Sequence, residues 1–403
     1  MKQSLWVGLL HIFLLVFIIP LAFFAAVEMF FQVSGVNPDV IKSKSLDLAI
    51  PLWVANDLNF SAAESVYKEI VVNSLPPESA EWMNLFEAAK YVRYKMKPHV
   101  SASVSNSVNL LELEKKRKVL IQANREGFRT KDIPHEKKKN VYRIVLLGDS
   151  AAFGWGVNQE ERFGQYLEDR LNSVQKAITY EVINLGIPGY TSSHGVAVFD
   201  HYALKYHPDL VILSFGANDG RPIPKRAKKI LQKRPWFDDV HYFLLHFKTY
   251  RFIQKIFLSR SDRLQRMRKT MGKKEPWEAY VTPEEFQRNL EYIAQKGRER
   301  GIQTVFLGLC CPLEYLQIMG KVARRMNIVH IDGMFVLLQS IPAVQEGKMY
   351  PELARYYRDF YGEDTLEERR LLYVTNDTCH PNIIGNKIIA DALYERVFKE
   401  LIK

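Results

Sequence analysis

The sequence predicts an α/β protein built on one parallel sheet covered by helices on both faces. Two observations carry that expectation. From Tyr142 onward, short apolar runs alternate with stretches of helical periodicity. One of those runs, Leu210-Val-Ile-Leu-Ser-Phe215, is almost continuously apolar, as a strand buried on both faces should be. Length adds a third. At 403 residues the chain exceeds one typical domain and leaves room for a second region ahead of the sheet.

The first element is an apolar segment. Leu5 to Val27 is a run of 23 residues without a formally charged side chain, with Pro20 as its only helix breaker. At 1.5 Å per residue it is long enough to cross a bilayer, which takes roughly 20 residues. A cleaved signal would carry a shorter apolar core ending in a small-x-small site. Phe23-Phe24-Ala25-Ala26-Val27-Glu28 is a poor one. Residues 1–27 are therefore read as a retained single-span membrane anchor, with the bulk of the chain outside the cytoplasm; Lys2 and the terminal amine mark the inner side.

Residues 28–140 read as a mainly helical, membrane-proximal region. Ser61-Ala-Ala-Glu64 forms a capping box ahead of a helix over Ala62–Val72. Pro76-Pro77 ends it. Trp82, Leu85, Phe86, Ala89 and Val92, three or four apart, predict a second helix over Glu78–Lys97. Ser101–Ser107 reads as a loop or edge strand.

In the main domain, residues 141–403, strands are expected at Ile144–Leu147, Tyr180–Asn184, Leu210–Phe215, Thr304–Leu307 and Ile328–Ile331. Helices are expected at Glu160–Leu171, Ser193–Tyr206, from Thr282, over Glu314–Met326, and from Ile383 to Leu401. Thr282-Pro283-Glu284-Glu285 is a strong start signal: a capping threonine, proline in the first turn and a glutamate reaching back.

Composition narrows the function classes. Apolar residues make up 47 % and charged residues 25 %, which excludes a disordered or fibrous chain. Three cysteines, Cys310, Cys311 and Cys379, exclude a disulfide scaffold and a four-cysteine metal centre. A bond from Cys310 or Cys311 to Cys379 stays open beside free thiols, since an oxidising compartment would permit it. His194, His201 and His207 lack a third close ligand and read as capping or surface residues.

Polar residues after strand ends are where parallel sheets place their sites. The first strand runs into Gly148-Asp149-Ser150, with small Ala151 and Ala152 behind. A serine at such a turn exposes its hydroxyl while helix N–H groups face developing charge. The second strand ends Asn184-Leu185-Gly186, where Gly186 offers an unobstructed N–H. The third ends Gly216-Ala217-Asn218-Asp219: the Asn218 amide suits an oxyanion, and Asp219 holds the loop. Asp377-Thr-Cys-His380 puts a carboxylate three residues before a histidine, able to orient the ring toward a nucleophile.

These four blocks, in this order, resemble the GDSL-like, or SGNH, hydrolases over Tyr142 to about Lys403. The resemblance implies a flavodoxin-like three-layer α/β/α sandwich. It also implies Ser150 as nucleophile, Asp377 and His380 as acid and base, and Ser150, Gly186 and Asn218 as oxyanion donors, with no metal or other cofactor. Asn124-x-x-Gly127-Phe128-Arg129 is similar to the lead-in of membrane-anchored bacterial members. The expected activity is ester hydrolysis outside the cytoplasm on an envelope glycan, a lipid or a small ester. An O-acyltransferase using the same triad, and an inactive envelope scaffold, are the alternatives.

One segment stands apart. Arg221 to Lys274, within an insertion spanning 221–280, holds 17 Lys and Arg against three Asp, a net +14 that exceeds the whole chain's +11. Phe243, Phe247, Tyr250, Ile253 and Phe257 recur at helical spacing inside it. It reads as a lid packed on the domain, or as a contact for anionic lipid or anionic glycan. Nucleic acid, which could meet the same charge, is not expected for an exported chain. Oligomeric state has no signature in the sequence.

Overall fold

The computed structural model describes residues 14–34, 40–43, 48–51, 85–105, 118–174, 176–225, 228, 238–260, 276–361, 372–374 and 379–399. The chain divides into two compact units. One comprises residues 69–87, 91–228 and 276–403; the other comprises residues 1–68, 88–90 and 229–275.

The described chain begins with an apolar helix. A π-helical turn at Leu14–Ile18 continues into α1 (Ile19–Val33). Together they make 20 residues of mean hydropathy 2.5, long and apolar enough to cross a membrane. The expected start of this run, Leu5–Phe13, lies outside the described residues, as does the capping box at Ser61–Glu64.

The first unit is built on five parallel strands: β1 (Val141–Gly148), β2 (Thr179–Asn184), β3 (Leu210–Ser214), β4 (Gln303–Gly308) and β5 (Val329–Asp332). Their order is β2-β1-β3-β4-β5, the doubly wound order of flavodoxin-like sheets. Every pairing is parallel, with Ile144 opposite both Val182 and Leu210 and Val305 opposite Ile212. All five residues of β3 are buried, as its uninterrupted apolar run demands.

Helices cover both faces. A short turn, α2 (Ser150–Phe153), follows β1 and leads to α3 (Phe163–Val174), and α4 (Ser192–His201) follows β2. The insertion carries α5 (Asp238–Leu244) and α6 (Lys248–Arg260), both in the second unit. Then come α7 (Pro283–Arg298), α8 (Leu313–Met326), α9 (Gly333–Gln345), α10 (Pro351–Tyr361) and α11 (Ile383–Leu393). Helix α11 packs with α3 and α9 in one layer, and α7 packs with α4 and α8 in the other. Thr282 and Glu285 form the expected reciprocal cap of α7. Leu167, Leu171, Leu337, Ile384 and Leu393 fill the core between sheet and outer helices with essentially no exposure.

The helix expected over Glu78–Lys97 is not formed where the chain is described. Phe86–Ala89 and Arg93–Met96 pair as a two-stranded hairpin, and Ser101–Ser105 pairs antiparallel with Lys118–Gln122. Between residues 35 and 140 the described elements are strands, and the helix expected over Ala62–Val72 lies outside the described residues. Each short strand buries only one or two apolar residues, and two such strands laid end to end mimic a three-to-four-residue period. Tertiary contacts decide the outcome: the Tyr94 hydroxyl donates to Pro188 O (2.7 Å), and Tyr94 packs edge-on against Tyr190.

Candidate active site

The site forms where β1 and β3 lie side by side and the connections leave in opposite directions. Gly148 closes β1 because a Cβ there would meet Ser214 O at 2.7 Å and Ala152 Cβ at 2.5 Å. Asp149 follows as N-cap of α2, its carboxylate accepting from Ala151 N (2.9 Å). Ser150 is then the first residue of a helical turn, as the motif requires. Burial raises the Asp149 carboxyl to about 6, against the lowering effects of the Ala151 amide, His380 and Arg221.

His380 arrives from the far end of the chain. Its Nε2 lies 2.8 Å from Ser150 Oγ, so the serine hydroxyl donates to that nitrogen when it carries no proton. The histidine segment is held on both sides. Val374 N donates to His380 O (2.8 Å), and Asn382 N to Leu372 O (2.9 Å). Cys379 is bonded to Cys310, which follows β4, and Cys311 is free and buried. Of the two pairings left open by the sequence, the structure forms Cys310–Cys379. Trp155 lies tilted against the imidazole with ring centroids 6.3 Å apart. Asp377, the expected orienting carboxylate, lies outside the described residues.

The expected oxyanion donors lie on the neighbouring strand ends. Gly186 N donates to Asn184 Oδ1 (2.9 Å), while Asn184 Nδ2 donates to Ala152 O (2.6 Å). A Cβ on Gly186 would meet Phe153 N at 3.0 Å, so only glycine fits this approach comfortably. Asn218 is buried, and its Nδ2 donates to Tyr190 O (3.0 Å). Asp219 holds the loop: it accepts from Ser192 N (2.9 Å), Ser192 Oγ (2.5 Å) and Gly216 N (3.1 Å). Burial raises its carboxyl to about 7.

Two supporting residues carry more than the sequence assigned them. Asn184 links β2 to the α2 turn; its position directly before Leu185-Gly186 is the signal. Arg129, fully buried, donates to Phe153 O, Gly154 O, Val157 O and Leu120 O, gripping the chain just after Ser150. The Asn124-x-x-Gly-Phe-Arg129 segment singles it out, but nothing in the sequence indicates those acceptors.

The histidines away from the site have structural roles. His194 is buried, stacks on Tyr190 (4.7 Å) and joins Thr191 in capping α4; burial lowers its pKa to about 3. His201 stacks on Tyr91. Among the described residues no group of three or more His, Cys, Asp or Glu is placed to hold a metal ion.

The sequence profile of the GDSL-like lipase/acylhydrolase family matches residues 146–388. An arylesterase of Vibrio mimicus is 35 % identical over 78 residues, 19 % of this chain and 38 % of that protein. The match thus spans well under half the relative's length. Among solved structures, TesA is 17 % identical with a TM-score of 0.36, covering 64 % of this chain and 98 % of its own. The esterase EstA of Pseudoalteromonas sp. gives 18 %, 0.36, 65 % and 99 %. The acetylxylan esterase Axe2 of Geobacillus stearothermophilus gives 15 %, 0.38, 65 % and 96 %.

Proposed function

Because the chain belongs to the GDSL-like lipase/acylhydrolase family, we propose that it is a membrane-anchored serine esterase that removes acyl or acetyl groups outside the cytoplasm. The observation that carries this reading is the 2.8 Å approach of Ser150 Oγ to His380 Nε2 at the end of β1. His380 takes the serine proton as Oγ attacks the ester carbonyl. Asp377, three residues earlier, is the group assigned to hold the ring. The tetrahedral oxyanion meets Ser150 N–H, Gly186 N–H and Asn218 Nδ2. His380 then protonates the leaving alcohol, and water releases the acyl group from Ser150.

Two observations support the location. The helix at Leu14–Val33 has the length and hydropathy of a span. The Cys310–Cys379 bond belongs in an oxidising compartment. A cell-envelope glycan, lipid or small ester is the substrate class of this reading, and the basic insertion supports contact with an anionic surface.

The test is hydrolysis of acetyl and longer-chain esters by the full chain in detergent, alongside Ser150→Ala. Wild type is expected to hydrolyse at least one chain length and to be labelled at Ser150 by a fluorophosphonate. The variant is expected to lose about 10⁴-fold or more in kcat while remaining folded. Labelling at another residue, or activity retained in the folded variant, overturns the assignment.

A further inference from the structure

The second unit contains a contact that the esterase chemistry does not use. Glu28 follows Val27, the last residue of the uncharged run, and its carboxylate meets the start of α6. It accepts from Lys248 N (3.0 Å), Thr249 N (2.8 Å) and Thr249 Oγ1 (2.9 Å), with Gln32 Nε2 donating to it from its own helix (3.0 Å). One turn earlier on α1, Phe24 packs edge-on against Phe247 (5.4 Å). One turn later, Phe31 packs on Phe252 (4.8 Å), and Lys248 Nζ donates to Phe31 O (3.1 Å).

These contacts fix a direction. Phe24, Glu28 and Phe31 ascend α1 as Phe247, Thr249 and Phe252 ascend α6, so the two helices run parallel. Helix α5 comes before α6, so the turn between them, Leu245–Phe247, is the end of this helical pair nearest the apolar run. Glu28 marks where that run ends, and Phe247 sits on the apolar side of it. Phe243 on α5 is 62 % exposed, whereas His241, two residues earlier, lies back beside α6 at Tyr250 Oη (3.0 Å) and Gln254 Nε2 (3.3 Å). Arg251 and Lys255 lie four and eight residues past Phe247, about 6 and 12 Å farther along α6 at 1.5 Å per residue.

We infer that the α5–α6 tip, Phe243 to Phe247, is an interfacial wedge: it inserts into the outer acyl–headgroup boundary of an anionic bilayer beside the anchor. The inference rests on the reading of residues 5–27 as a span. Glu28 sets the depth of the wedge, because its carboxylate holds the start of α6 at the end of the apolar run. Exposed Phe243 then meets acyl chains, with Arg251 and Lys255 on the headgroup side of it. The segment's 17 basic and three acidic residues suit the same surface. This also fixes which part of the basic insertion faces lipid. Lys228 does not: it is buried in the first unit, where it donates to Glu285 Oε2 (2.8 Å) and Ala279 O (3.2 Å).

The test uses the full chain in nanodiscs of phosphatidylcholine and phosphatidylglycerol, 3:1. Single cysteines at exposed positions, Leu15→Cys, Phe243→Cys and Ile253→Cys, carry an environment-sensitive nitrobenzoxadiazole label, with the unsubstituted chain as labelling control. The Leu15 label reports the span. The Phe243 label is expected to be quenched at least about two-fold by lipid spin-labelled near the headgroup and little by iodide, the signature of shallow insertion. The Ile253 label should show the reverse. A Phe243 label quenched by iodide like Ile253, with the Leu15 label still in lipid, overturns the wedge and leaves the anchor intact. A Leu15 label accessible to iodide overturns the span and, with it, the wedge. Glu28→Ala gives an independent check: if depth is set by that carboxylate, lipid quenching at Phe243 falls, and unchanged quenching removes Glu28 from the argument.

Discussion

Cutting the Cys310–Cys379 bond should weaken the first unit and the Ser150–His380 pair together. The bond closes a loop across a sequence separation of 69, running from the turn after β4 to the residue before His380. Chain-entropy bookkeeping for a loop of that length gives about 4 kcal/mol at 25 °C. The unit holding the sheet has about 285 residues. At about 2.1 cal/mol/K of unfolding entropy per residue, that loss lowers its Tm by about 7 °C. Cys310→Ser and reduction of the wild type by a phosphine are two independent routes to the same state. Thiol titration of the denatured chain should count one thiol before reduction, from Cys311, and three after. Scanning fluorimetry reads the Tm; the rate of fluorophosphonate labelling at Ser150, measured well below Tm, reads the catalytic pair. Labelling should fall several-fold, since His380 keeps its Val374 contact but loses the tether one residue away. Three thiols before reduction, or a reduced protein with unchanged Tm and labelling, would refute the reasoning. Cys311→Ser, which leaves both bonded sulfurs in place, serves as the control.

Asp377→Asn and His380→Ala should each lower kcat by orders of magnitude, and the double variant should cost far less than their product, because a broken triad is lost as a unit. Steady-state kinetics on a small soluble ester decide this, and strictly multiplicative losses would separate the two residues. Asn218→Ala should cost about 100-fold in kcat, or about 3 kcal/mol, with little change in KM; a KM effect alone would make Asn218 a binding group. Burial raises Asp219 to about 7, above its ordinary value near 4, so the folded state binds its proton more tightly than the unfolded chain does. Its stabilising contribution is therefore full below pH 4 and is lost as pH rises through 7. Thermal melts of Asp219→Asn against wild type over pH 4–8 should show a shallower decline for the variant, and equal slopes would exclude Asp219 as the source.

The legible and illegible parts of this chain differ in how locally they are determined. Strand β3 and the Thr282 cap of α7 are set by side chains within a few residues, and both form as read. The hairpin at Phe86–Met96 is not. Its apolar spacing fits a helix over a dozen residues, and it is stabilised by Tyr94 reaching the Pro188 carbonyl 94 positions later. Helix α9 escapes notice because Pro342 lies inside it. The proline removes one amide donor near the end of the helix, where a missing hydrogen bond costs little continuity. At the site, Ser150 and His380 are legible as motifs because the chemistry restricts residue type. Arg129 is not, because what it binds are backbone carbonyls, which any sequence supplies.

The polar residues around Ser150 share one physical logic that extends past the Ser150–His380 pair. Each of the first three strands of the sheet is ended or followed by a side chain that ties down its loop: Asp149 to the Ala151 amide, Asn184 to Ala152 and Gly186, and Asp219 to Ser192 and Gly216. Two of these are buried carboxylates, and burial raises both, to about 6 and about 7, so holding them ionised near neutrality costs folding stability. That cost falls at the strand ends, where position matters most, in keeping with the strain that functional sites store. The same ties bear on the donors proposed for the oxyanion. Gly186 N–H is engaged with Asn184, and Asn218 Nδ2 with Tyr190, so a developing oxyanion competes with acceptors already within 3.0 Å. A carbonyl oxygen in the ground state competes poorly for those hydrogens. A full negative charge competes well, because charge-assisted hydrogen bonds are roughly twice as strong as neutral ones. In the proposed mechanism, donors engaged in this way would favour the transition state, which is where binding energy accelerates the reaction.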